Sequence, residues 1–138
     1  MFNFFNKKKI EIPYFSFVEK SVYRDKYFAR TKPWDWLNEL QIYVVSTIKD
    51  QPAMITMDYW PQQIFQHADG QITVAELMTV LANQYVDSNM KIPKDFDKGV
   101  LEMLDELVND LKVVEYCDQK TDLPKELALP QQSNITIN

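Results

Sequence analysis

At 138 residues, 46% hydrophobic and 13% aromatic, the chain is the size of one domain and has the material for a packed core. Its only glycines, Gly70 and Gly99, exclude a Gly-rich phosphate cradle, and one histidine and one cysteine, with no Cys-x-x-Cys or His-Glu-x-x-His, argue against an ordinary zinc site. The net charge of −5 is uneven: residues 1–32 hold eight Lys/Arg against three Asp/Glu, and residues 33–138 hold seven against seventeen, so the body repels nucleic-acid phosphates.

No run reaches the ~18 apolar residues that a membrane span needs. Lys7-Lys8-Lys9 and Pro13 break up any signal-peptide core, so a cytoplasmic protein is expected. The lone Cys117 suits a reducing compartment.

In chain order, residues 1–9 read as a leader, with Phe2, Phe4 and Phe5 ahead of the three lysines. Ile10-Glu11-Ile12 alternates and Tyr14–Val18 is aromatic and β-branched, so strands are expected on either side of Pro13. Pro33 suits a first helical turn, which predicts a short helix over 33–40 bearing Trp34, Trp36, Leu37 and Leu40. Residues 41–49 admit a strand or a helix, and β-branching favours the strand. Asp50-Gln51-Pro52 turns the chain, and Met54–Met57 returns as the second strand of a hairpin.

Three helices then follow. Asp58 caps the first, which runs to about Ala68, and Thr73 opens the second. The third starts near Pro93 and Asp95, with an apolar stripe of Phe96, Val100, Met103, Leu104, Leu107, Val108 and Leu111. Its solvated face is assigned Asp97, Glu102, Asp105, Glu106 and Asp110. Val113–Tyr116 reads as a short strand, and residues 118–138, with Pro124 and Pro130, as a tail that wraps the surface or frays. The fold class expected is α+β. It comprises a strand-rich extension over 1–40, a winged-helix-like unit (hairpin, then three helices) over 41–117, and the tail over 118–138.

Nothing in this pattern assembles a nucleophile, acid and base, so no catalytic residue, metal ligand or cofactor is assigned. His67 stands alone and Cys117 has no basic neighbour in sequence.

Asp69-Gly70-Gln71-Ile72-Thr73-Val74-Ala75-Glu76-Leu77 is the most informative stretch. It matches the second half of an EF-hand loop, but loop positions 1 and 3 fall on Phe65 and His67, which removes two carboxylates that calcium needs. Local physics explains it without a ligand: Asp69-Gly70 turns the chain, and Thr73 with Glu76 forms a capping box.

The same run carries a resemblance. Met54–Asp58, the helix with Ile64-Phe65, Asp69–Leu77, and a later helix with Leu104-Asp105-Glu106-Leu107 resemble the coenzyme PQQ synthesis protein D family over about residues 42–116. The resemblance implies a winged-helix-like peptide chaperone that presents the leader of a precursor peptide to a radical SAM enzyme. It implies that the leader adds as a strand along Met54, Ile55, Thr56 and Met57 and lies against Leu104, Val108 and Leu111 of the third helix. The chain departs from the family by some forty extra residues in front and by Pro61-Gln62-Gln63 where a small residue is usual. The expectation is a non-enzymatic peptide- or protein-binding module that takes neither nucleic acid nor membrane. The alternatives are a winged-helix DNA-binding regulator, or a structural or oligomerising domain built on Trp34, Trp36, Trp60 and the aromatic N-terminal third.

Overall fold

A computed structural model describes residues 10–131, so the leader and the last residues of the tail lie outside the described residues. The fold is α+β, with helices packed on two antiparallel three-stranded sheets. In the first sheet β1 (Tyr27–Arg30) lies between β5 (Asp69–Thr73) and β6 (Val114–Cys117). In the second, β3 (Ile42–Ile48) lies between β2 (Trp34–Trp36) and β4 (Gln51–Thr56).

The expected hairpin forms, but its turn is Lys49-Asp50 and not Asp50-Gln51-Pro52: Gln51 and Pro52 already pair with β3, and Met57 lies beyond the strand. Lys49 and Asp50 take φ of 51° and 64°, and Ile48 faces Gln51. Two consecutive left-handed residues make the tight two-residue turn whose twist matches its strands. On the inner face Ile42 and Val44 are fully buried and Ile55 packs against the core, while Met54 and Thr56 point outward.

The N-terminal third departs from its prediction. It supplies strands, but not at 10–12 or 14–18: residues 10–15 are irregular and α1 (Ser16–Glu19) is a single helical turn. Asp97, assigned above to a solvated face, is the reason. Asp97 is 3% exposed and its carboxylate accepts the N–H of Val18 at 2.9 Å, which fixes this turn against the third of the three helices. The helix expected over 33–40 is instead β2 followed by a turn in which Asn38 Oδ1 accepts the N–H groups of Leu40 and Gln41. Leu37 and Leu40 are exposed, so the apolar residues that suggested a helical face do not share one. Trp34 alone is buried, opposite Val44.

The three helices stand in the expected order: α2 (Tyr59–His67), α3 (Val74–Asp87) and α4 (Phe96–Asp105). Asp58 occupies the N-cap position of α2 without a side-chain cap bond. Pro61 is tolerated in the first turn, where N–H groups have no intrahelical partner. Thr73 caps α3 as predicted: its hydroxyl accepts the Glu76 N–H at 3.2 Å and Glu76 returns a bond to the Thr73 N–H at 2.9 Å. The third helix continues past α4 as a π-helical turn over Glu106–Asp110, closed by Leu111 N–H to Glu106 C=O at 2.9 Å.

Asp69-Gly70 belongs to β5 and is not a free turn. Tyr27 faces Thr73 and Ala29 faces Asp69, so a short step of β1 spans a longer one of β5, and Gly70 absorbs the irregularity with φ 77°. The carboxylates that suggested half a calcium loop are engaged locally, Asp69 with the Gln71 N–H and Glu76 with Thr73.

Residues 118–131 wrap the body. Thr121 donates its N–H to Gly70 C=O at 2.9 Å. Arg30, buried in the first sheet, donates to the carbonyls of Phe65, Gln66, Leu127 and Ala128, and Trp34 Nε1 joins it on Leu127. The guanidinium also stacks within 6 Å of the Trp34 and Phe65 rings. Burial lowers its pKa, and the nearby Asp69 opposes that shift.

Candidate functional site

β4 is an edge strand, and the hairpin register determines which of its groups are free. A two-residue turn makes Ile48–Gln51 a hydrogen-bonded pair, and bonded pairs alternate along the ladder. Ala53 and Ile55 therefore bond to β3, while the N–H and C=O of Met54 and Thr56 point away from the sheet. Two observations agree with this phase. Val45, opposite Met54, sends its N–H the other way to Pro33 C=O at 2.8 Å. Pro52, which has no N–H, sits at an outward-facing position where none is needed by the ladder.

Beyond Thr56 the edge is completed by a side chain. The buried Gln62 accepts the Ile42 N–H through Oε1 at 3.0 Å and donates Nε2 to Leu40 C=O at 2.9 Å. Its amide thus bonds β3 where β4 has ended, which explains a polar residue at this point of α2.

Below this edge lies a cleft of about 580 Å³ between the end of β4, the start of α2 and the third helix. Thr56, Met57, Tyr59 and Trp60 form one side, and Met103, Leu107 and Leu111 the other. Asp58 and Glu106 are its charged lining residues. The π turn carries Glu106 and Leu107 and closes on Leu111, so this departure from α geometry shapes the wall directly. A second cleft, of about 380 Å³, runs under the hairpin tip past Ile55 and shares Leu111 with the first. A third, of about 300 Å³, shares Tyr59 and Trp60 with it and is floored by the Trp60–Tyr85 ring stack at 5.4 Å.

The residues that the resemblance singled out meet here in part. Thr56, Met57 and Leu111 line the main cleft, Ile55 lines the one beneath the hairpin, and Met54 stands 63% exposed on the outer face. Leu104 is fully buried in the core, and Val108 packs against that core without lining the main cleft. On the helix, the cleft is walled by Met103, Glu106 and Leu107. Sequence reasoning missed these because an apolar stripe does not reveal which of its edges stays open. It also missed Tyr59, Trp60 and Pro61, where the aromatic pair followed by proline was the available signal.

Groups with reactive potential lie elsewhere. His67 Nδ1 is 2.8 Å from Gln63 C=O at the end of α2. Burial pushes the Cys117 thiol up, away from the reactive thiolate, with a hydrogen bond to Thr121 opposing. Tyr116 stacks on Tyr23 at 4.1 Å, and burial, aided by Tyr23 and Asp105, pushes its pKa up to about 12. Among the described residues no group of three or more His, Cys, Asp or Glu is placed to hold a metal ion, and no helix is long and apolar enough to cross a membrane.

A scan against protein-family models, a search of curated proteins and a search of solved structures each found no match to this chain.

Proposed function

We propose that this protein is a non-enzymatic peptide-binding module that captures an extended segment at the β4 edge. The observation that carries this reading is the position of the cleft: a strand edge unpaired among the described residues, with outward N–H and C=O groups at Met54 and Thr56, overhangs an apolar-walled cleft about 580 Å³ in volume. Backbone pairing supplies affinity in such a mode, and the cleft selects side chains.

The hairpin followed by three helices, with β5 after the first and β6 after the third, supports a winged-helix-like arrangement of the coenzyme PQQ synthesis D type. On that reading the occupant is the leader of a precursor peptide, presented in the cytoplasm to a modifying enzyme such as a radical SAM protein. A DNA-reading role for the third helix is disfavoured, because Glu102, Asp105, Glu106 and Asp110 are all exposed on it. A purely structural role leaves the open edge and its cleft without a use.

Met54→Pro tests the proposal. The outward N–H of Met54 takes no part in the hairpin, so proline there blocks strand addition while leaving the ladder intact. The expected result is a folded variant whose affinity for a β-forming peptide falls about tenfold or more. Unchanged affinity places the binding surface elsewhere.

A further inference from the structure

The main cleft is apolar along both walls, yet its charged lining residues are both acidic: Asp58 at the β4–α2 junction and Glu106 on the π turn. Both are exposed, and the ion pairs among the described residues, Arg24 with Glu19 and Asp25, and Lys26 with Asp118, use neither. Glu106 also lines a neighbouring cleft with Glu102, Asp105 and Asp110 against a single cation, Lys98, so the field on this side of the helix stays negative. The cleft under the hairpin tip differs, because Lys32, Lys49 and Lys112 balance Asp50 and Asp110 there.

From this distribution we infer that the segment held at the β4 edge carries a lysine or arginine flanked by apolar residues, with its cation between Asp58 and Glu106. The inference rests on the proposed edge-strand binding and adds the chemistry of the occupant. Apolar side chains of the added strand fill the space between Met57 and Leu107, and a cation in the cleft meets Asp58 and Glu106, which line it and have no ion-pair partner among the described residues. An acidic residue at that position is repelled by both. The occupant is a partner peptide supplied in trans.

The probes are fluorescein-labelled peptides Ile-Thr-Val-X-Val-Thr-Ile in which X is Lys, Gln or Glu. Each is titrated by anisotropy into the full chain, the Asp58→Asn/Glu106→Gln double variant and Met54→Pro. Both acids are exposed and both replacements are near-isosteric, so the double variant retains the fold. The Lys peptide is expected to bind the unaltered chain on the order of tenfold more tightly than the Glu peptide, since each exposed charge pair contributes only a several-fold effect. In the double variant this difference shrinks to about twofold or less, and added salt shrinks it in the unaltered chain. Equal affinities, a preference for Glu, or discrimination that survives the double substitution overturns the inference. If Met54→Pro still weakens all three peptides in those cases, edge binding stands and only the place of the cation is lost. Binding by none of them overturns both. Tighter binding by a peptide of residues 1–9 than by the Lys probe assigns the cleft to this chain's own N-terminus and overturns a partner in trans.

Discussion

Thr121 donates its N–H to the carbonyl of Gly70, and its own carbonyl stands where a β-carbon on Gly70 would be. With φ at 77°, Gly70 is thus constrained twice, by its backbone conformation and by the tail laid across it. Gly70→Ala is expected to destabilise the protein by about 2–4 kcal/mol, measured by denaturant unfolding. Gly99 is the internal control. A β-carbon there meets open space within α4, so Gly99→Ala is expected to stabilise by about 0.5–1 kcal/mol.

Arg30 connects the first sheet, the end of α2 and the tail through four carbonyls. Replacing it by methionine removes donors to one buried and three part-buried carbonyls, and a loss of about 3 kcal/mol is expected. Limited proteolysis checks the mechanism, because cleavage near Leu127 and Ala128 should accelerate before global unfolding does. Equal resistance in the variant would mean that the tail is held by something else.

The Thr73–Glu76 box was legible because capping is a local matter of spacing and hydrogen bonding. Thr73→Ala should cost about 1 kcal/mol in unfolding free energy, and Glu76→Ala should cost less. The hairpin, the helix order and the short strand after the third helix were legible for the same reason: apolar period and turn chemistry act over a few residues. What failed depended on distant partners. Nothing near Asp97 signals that it will bond Val18, 79 positions away, and that contact sets a helical turn where aromatic, β-branched residues suggested a strand. Trp34 likewise lies in β2 because Val44 and the Leu127 carbonyl receive it. The candidate site was half legible. Of the residues named for it, Thr56, Met57 and Leu111 line the main cleft, whereas Leu104 fills the core and the cleft meets Met103 and Leu107 on the helix instead.

Tyr116 gives a pH signature. Its folded pKa is pushed up to about 12 from an ordinary value near 10, chiefly by burial, so the folded state holds this proton more tightly than the unfolded state. The associated stability is fully present below pH 10 and is lost as pH rises towards 12. Denaturant midpoints across that range should fall for the native protein and fall less for Tyr116→Phe. The tyrosinate absorbance of the native protein should exceed that of Tyr116→Phe by a component that appears as pH rises towards 12.

The edge-binding account is tested most directly by amide hydrogen exchange at Met54 and Thr56, read by NMR on the full chain. Their N–H groups point away from the hairpin, so they should exchange fast in the free protein, unlike those of Ala53 and Ile55. Saturating the Ile-Thr-Val-Lys-Val-Thr-Ile peptide should slow exchange at Met54 and Thr56 and shift the resonances of Leu107 and Leu111. A peptide that binds while leaving exchange at Met54 and Thr56 unchanged would contradict it.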